Sequence, residues 1–296
     1  MTHLQVADEA ARLLSAETGH RFRHVVIDEA QDLHPVQWRL LRACVAQGAD
    51  DLFIAGDPHQ RIYDNRVSLR SLGIKVTGRS SRLRINYRTT HEILTWSTQL
   101  LTGEHFTGLA GAEESSPQAM PPGGSEDVAG YQSALHGMRP TLAPHVDRAH
   151  ELAALVDRVQ RWIDEGISPQ DIAVAGRHRK GLLDLVGERL KAAKIMTADL
   201  GGEVAKKPGA VGIGTMHAMK GLEFRCVAVV GVNERVVPMA NAITPRDIDR
   251  LQHEADLLAE RCLLFVACTR AREALYVSWS GAPSPFLPVG RQDAGA

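Results

Sequence analysis

The chain has 296 residues, of which 44% are apolar and 23% charged, with a formal net charge of −1 and a pI near 6.9. Those proportions are those of an ordinary globular protein with room for about two domains. They exclude a uniformly basic nucleic-acid coat, so any nucleic-acid surface has to be a local cluster of Lys and Arg. The four cysteines (Cys44, Cys226, Cys262 and Cys268) form no C-x-x-C pair and read as buried thiols of a reducing compartment. The first residues lack the basic and apolar regions of a signal peptide. No run reaches the roughly 20 apolar residues of a spanning helix. A cytoplasmic protein with no membrane partner is the expectation.

In chain order, residues 4–16 pattern as a helix, and 24–28 (HVVID) form an apolar run that stops at adjacent carboxylates. A helix over 35–46 follows, with Pro35 in its first turn, where the missing N–H costs nothing. Further short apolar runs at 51–56, 171–176, 211–215, 226–231 and 274–279 read as strands. Stretches 89–101, 148–165, 179–193 and 247–272 repeat apolar residues every three or four positions and read as helices. Strands alternating with such helices predict an α/β fold with a mainly parallel sheet. From 102 to about 139 the chain is rich in Gly, Pro, Ser and Glu with no sustained period, and predicts a loose excursion. The tail 281–296 has the same character and is expected to be flexible.

The chemistry concentrates at strand ends. Continuous Val/Ile runs mark buried parallel strands, and ligands of open α/β sheets gather outside their carboxyl ends. Asp28 and Glu29 fall there. An Asp that holds Mg²⁺ beside an acid that handles a water suits phosphate-ester hydrolysis, although the pair alone also fits a polar strand end leading into a capped helix. Gly56-Asp57-Pro58-His59-Gln60-Arg61-Ile62-Tyr63 follows the second strand, Leu83-Arg84-Ile85-Asn86-Tyr87-Arg88 opens a helix, and Gly214-Thr215-Met216-His217-Ala218-Met219-Lys220-Gly221-Leu222-Glu223-Phe224 joins two strands. Leu263-Leu264-Phe265-Val266-Ala267-Cys268-Thr269-Arg270-Ala271 sets an arginine at the end of an apolar helix, where a buried charge needs partners. Alone, Arg88 reads as a solvated charge, His217 as a turn residue and Tyr63 as core.

Together these segments resemble, in order, motifs II to VI of superfamily 1A DNA helicases of the UvrD/Rep type, over nearly all of residues 20–280. The resemblance implies a P-loop NTPase fold of two RecA-like lobes: a partial first lobe over 1–78 and a nearly complete second lobe over 79–280. It implies ATP and Mg²⁺ as cofactors, single-stranded DNA or single-strand/duplex junctions as partner, and 3′-to-5′ translocation. Residue by residue, it implies that Asp28 holds Mg²⁺, Glu29 activates the attacking water and Gln60 senses the γ-phosphate. Tyr87 would stack on adenine and Glu223 would bind the ribose. Arg88 and Arg270 would contact the γ-phosphate, a task suited to planar, permanently charged guanidiniums. Tyr63 would stack on a DNA base, with Arg66, Thr215 and His217 near the strand.

The sequence departs from that family. No Gly-x-x-x-x-Gly-Lys-Ser/Thr phosphate loop occurs in it, and 27 residues precede Asp28. The expectation is therefore the C-terminal portion of a helicase, inactive alone in ATP hydrolysis, completed by an N-terminal half or by a repair or transcription partner. The alternative is a non-catalytic DNA- or protein-binding module. Asn65 stands where the family has Trp, and Cys262 follows Arg261 where a second Arg is usual. The stretch between 89 and 213 leaves little room for the family's large mobile insertion. With two strands left in the first lobe, exposed apolar edges and poor solubility are expected.

Overall fold

The structure is a computed structural model that describes residues 2–17, 19, 21–62, 69–76, 78–104, 106–107, 113–114, 132–201 and 207–288. It divides into two compact units, Met1–Arg82 with His105–Ser115, and Leu83–Glu104 with Ser116–Ala296. Most of the 102–139 excursion lies outside the described residues.

The first unit opens with α1 (His3–Ala16), β1 (Val25–Ile27), α2 (Pro35–Ala43) and β2 (Leu52–Ile54). Helix α1 starts at a capping box, in which the Thr2 N–H donates to Gln5 Oε1 at 2.8 Å and the Gln5 N–H to Thr2 Oγ1 at 3.3 Å. Such reciprocal caps satisfy donors that the first turn leaves open. His34 and Gln37 do the same for α2, with Pro35 at its first position. Strands β1 and β2 pair in parallel, Val26 opposite Phe53. One face of this two-stranded sheet packs Ile27 against Ala30, Trp38, Leu69 and Ile74. On the other face Val26 is 74% and Phe53 67% exposed, with no layer of the described residues over them. The HVVID run is thus half-buried, not covered on both faces, because alternate side chains of a strand point opposite ways and only one layer packs here.

The chain enters the second unit with β3 (Ile85–Asn86) and α3 (His91–Gln99). It returns to the first for the antiparallel pair β4 (Phe106–Thr107) and β5 (Glu113–Glu114). The second unit then continues through β6 (Gln132–Ser133), β7 (Thr141–His145), α4 (Arg148–Asp164), β8 (Ile172–Gly176), α5 (Asp184–Ala192), β9 (Thr197–Asp199), β10 (Val211–Thr215), β11 (Phe224–Val230), α6 (Arg250–Thr269) and β12 (Ala271–Ser280). Strands β7 to β12 make a six-stranded sheet in the order β7-β12-β11-β8-β10-β9, with every pairing parallel. Residues Ile172, Val174, Val211, Ile213, Ala228 and Val230 bury one face against Leu152, Leu155, Val159 and Trp162 of α4 and Val186 and Leu190 of α5. The alternate residues Val227, Val229 and Val277 are fully buried as well, where α3 packs against β12 and α6 against β11 and β12. Covering both faces is what an all-parallel sheet requires.

Two glycines of β10 are set by a neighbour. A Cβ on Gly212 would lie 2.6 Å from Leu200 Cδ2, and one on Gly214 would lie 2.8 Å from Leu200 Cβ. Strand β7 lies at the sheet edge, where Pro144 interrupts no ladder. Residues 281–288, expected to belong to a flexible tail, are packed instead. Phe286 and Leu287 are buried, and the Arg261 guanidinium lies 4.3 Å from the Phe286 ring centre. Composition marks a segment as polar and turn-rich but does not register two apolar anchors within it. Residues 289–296 lie outside the described residues.

Candidate nucleotide and nucleic-acid site

In the first unit, Asp28 and Glu29 leave the carboxyl end of β1, and Asp57 and Gln60 follow β2 beside it. Two backbone bonds prolong the ladder past the strands, Ala55 N–H to the Ile27 carbonyl at 2.8 Å and Ala30 N–H to the Ala55 carbonyl at 3.0 Å. Asp28 Oδ1 accepts the Glu29 N–H at 2.8 Å, and Glu29 sits in the left-handed region at φ 50°. The buried Gln31 donates to Glu29 Oε2 at 2.5 Å and accepts the Asp57 N–H at 3.0 Å. Gln60 donates to Asp57 Oδ2 at 2.8 Å. Burial alone would raise the Asp57 carboxyl, but the hydrogen bond and charge of His59, with Gln60, outweigh it and hold it below the usual carboxylate range. The structure thus brings Asp28, Glu29 and Gln60 together through Gln31 and Asp57.

In the second unit, three segments converge at the amino edge of the six-stranded sheet. Glu223 immediately precedes β11 and Arg270 precedes β12, and Phe224 and Ala271 are register partners. The Phe224 N–H donates to the Arg270 carbonyl at 3.0 Å. The segment carrying Tyr87 and Arg88 docks on the same junction. Thr89 Oγ1 donates to the Thr269 carbonyl at 3.1 Å, and the Thr90 N–H to the Arg272 carbonyl at 3.2 Å. Asn86 Oδ1 shapes the turn by accepting the N–H groups of Arg88 and Thr89. Arg270 is 1% exposed, its Nε donating to the Val266 carbonyl at 3.2 Å. Arg88 Nε is buried with no hydrogen-bond partner among the described residues. Tyr87 is 70% exposed, and Glu223 pairs with Arg272 at 3.4 Å.

Thr215 and His217 lie at the opposite, carboxyl edge, after β10. Thr215 is level with Gly176 and Val230 across β8, so the seven residues of β11 separate this edge from Glu223, about 23 Å at 3.3 Å per residue. One motif therefore crosses the sheet from edge to edge. Thr215 Oγ1 accepts the Ala218 N–H at 3.4 Å, which closes the following turn. His217 is half-buried. Burial, together with the Arg177 charge, holds its imidazole below the ordinary value, and Glu260 opposes them. Arg177 and Glu260 form a nearly buried bidentate pair, with Nε–Oε2 at 2.9 Å and Nη2–Oε1 at 2.6 Å. Glu260 Oε2 also accepts the Met239 N–H at 3.0 Å. Tyr63 and Arg66 lie outside the described residues.

Sequence reasoning missed Gln31, Asp57, His59, Arg177, Glu260 and Arg272. A glutamate inside the apolar turns of α6 was a readable signal for Glu260. Arg177 and Arg272 pair with carboxylates 83 and 49 positions away, and Gln31 and Asp57 meet across 26 positions. Among the described residues no three His, Cys, Asp or Glu side chains form a metal cage. That donor set still suits Mg²⁺, which takes one or two carboxylates and completes its shell with water and phosphate oxygens. The open Arg88 donor and the bare Tyr87 ring suit a nucleotide. No helix among the described residues is long and apolar enough to cross a membrane.

Residues 2–72 match the UvrD/REP helicase N-terminal domain family, and residues 190–282 match the UvrD-like helicase C-terminal domain family. The chain belongs to the UvrD/Rep type of superfamily 1A helicases. The ATP-dependent DNA helicase UvrD2 of Mycobacterium tuberculosis is 22% identical over 384 residues, covering 96% of this chain and 51% of that protein. The ATP-dependent DNA helicase PcrA of Staphylococcus epidermidis is 39% identical over 84 residues, or 25% of this chain and 11% of that protein. The solved C-terminal domain of a possible DNA helicase from Lactobacillus plantarum is 20% identical with a TM-score of 0.45, over 69% of this chain and 92% of that one. The chain spans about half the length of its UvrD2 relatives.

Proposed function

We propose that the chain carries motifs II to VI of an ATP-dependent DNA helicase, a 3′-to-5′ translocase on single-stranded DNA and single-strand/duplex junctions. The observation that carries this reading is the meeting of Tyr87, Arg88, Glu223 and Arg270 at one sheet edge, with a buried guanidinium N–H left open. In this reading Tyr87 stacks on the adenine, Glu223 exchanges Arg272 for the ribose hydroxyls, and Arg88 and Arg270 bind γ-phosphate oxygens. Asp28 would hold Mg²⁺, which when bound would supply charge neutralisation to the phosphates. Glu29 orients and deprotonates the attacking water, and Gln60 reports the γ-phosphate. Thr215 and His217, with Tyr63 and Arg66, contact the DNA strand.

The 296 residues supply no phosphate-loop lysine and none of that loop's N–H groups, which would carry much of the phosphate charge. By themselves they act as a nucleotide- and DNA-binding module that needs an N-terminal half or a repair or transcription partner to turn over ATP. Calorimetry of Mg·ATP binding to the purified chain, with and without single-stranded DNA, tests this. Weak binding abolished by Arg270→Ala is expected. Binding untouched by Arg270→Ala and Arg88→Ala would overturn the assignment of the site.

A further inference from the structure

We propose that Gln31 is a positioning residue that couples Glu29 to Gln60 through Asp57, so that the water-activating carboxylate and the γ-phosphate sensor move as one unit. The inference rests on the roles proposed above for Glu29 and Gln60. Gln31 is 1% exposed, and a buried carboxamide must have partners at both ends. Its Nε2 donates to Glu29 Oε2 at 2.5 Å and its Oε1 accepts the Asp57 N–H at 3.0 Å. The line continues from the same residue, since Asp57 Oδ2 accepts from Gln60 Nε2 at 2.8 Å and Asp57 Oδ1 accepts the His59 N–H at 2.9 Å.

A carboxamide suits this position because it presents a donor to a carboxylate and an acceptor to an N–H at once. A glutamate would repel Glu29, and a leucine of similar size would remove both of these hydrogen bonds. The backbone adds a reason for an anchor. Glu29 occupies φ 50°, ψ 38°, a left-handed conformation that costs a non-glycine residue energy and that clusters where function demands it. The side chain is aimed by Gln31 two residues on, and the turn itself by the Ala30–Ala55 backbone bond. A displacement of Gln60 by phosphate would reach Glu29 by three hydrogen bonds, with no lobe movement.

The test uses the full isotope-labelled chain and reads the Gln60 side-chain amide and the Asp57 backbone amide by NMR. Glu29→Ala is expected to shift both resonances in the wild-type background and neither in the Gln31→Leu background. The relay is overturned if Gln60 responds equally in both backgrounds or in neither. Should Gln31→Leu fail to fold, Glu29→Ala alone remains decisive. It is expected to speed exchange of the Asp57 amide about fivefold, the weight of one hydrogen bond, and unchanged exchange overturns the relay. Mg·ATP binding measured on the same samples separates the two ideas. Coupling without nucleotide binding would sink only the nucleotide reading, and binding without coupling would sink only the relay.

Discussion

His217 shows how one side chain can be read for both stability and binding. Its imidazole is held below the ordinary value by burial and by Arg177, against the pull of Glu260. A histidine depressed in the folded state takes up its proton first in the unfolded chain. Folding therefore loses stability as pH falls from the unfolded value near 6.5, until the folded-state value is passed. His217→Gln removes that contribution. Denaturant midpoints of wild type and variant should diverge less at pH 7.5 than at pH 5.5, with the wild type losing more on acidification. Equal losses would mean that the ring titrates as it does in water. The same neutrality bears on DNA. His217 would meet the strand as a hydrogen-bond donor and not as a cation, so His217→Ala should weaken single-strand binding while leaving its dependence on salt unchanged. Each neutralised phosphate contributes about 0.7 to that slope, and a drop of this size on substitution would show that the ring is charged. The sequence made His217 visible because its motif is contiguous. It hid Arg177 and Glu260, 83 positions apart, because nothing in either local pattern names the other.

At the scale of elements, the sheet strands that read most clearly were those buried on both faces. The runs at 171–176, 211–215 and 226–231 correspond to Ile172–Gly176, Val211–Thr215 and Phe224–Val230, since continuous apolar sequence is what a doubly covered parallel strand demands. Strand β7 escaped notice because an edge strand with Pro144 and mixed polarity satisfies only one ladder and one layer. The opposite discrepancy is at β1 and β2, where the sequence is apolar enough for cover on both faces but Val26 and Phe53 stand opposite each other in the open. Among the described residues no third strand joins this pair, and exposed apolar strands of that kind favour association. Phe53→Ser should lower binding of a hydrophobic dye and lower the aggregated fraction in sedimentation. The change in unfolding free energy should stay within about 0.5 kcal/mol, as for surface substitutions. A loss of several kcal/mol would show that Phe53 is packed.

For the whole molecule, motif order was legible in sequence because each motif is a short contiguous turn at a strand end, and parallel topology stacks those ends along the sheet edges. What could not be read was the division of labour between edges. In the second unit Tyr87, Arg88, Glu223 and Arg270, which we assign to the nucleotide, collect at the amino edge and Thr215 and His217 at the carboxyl edge, a separation created by the register of β10, β8 and β11. The alignment with UvrD2 runs over 384 residues against a chain of 296, so at least 88 of its positions have no counterpart here. On the proposed assignment Asp28, Glu29, Gln60, Arg88 and Arg270 are present, but the sequence has no phosphate loop to hold the β- and γ-phosphates in line. Catalysis of phosphoryl transfer consists largely of positioning and charge stabilisation, so an arginine pair cannot act on a phosphate that is not held. The 296-residue chain, given Mg·ATP and saturating single-stranded DNA, should release phosphate no faster than its Glu29→Gln variant. Adding a polypeptide that supplies a phosphate loop should restore turnover to the wild type alone. DNA-stimulated hydrolysis by the unaided chain, abolished by Glu29→Gln, would show instead that these residues grip the phosphates by some other means.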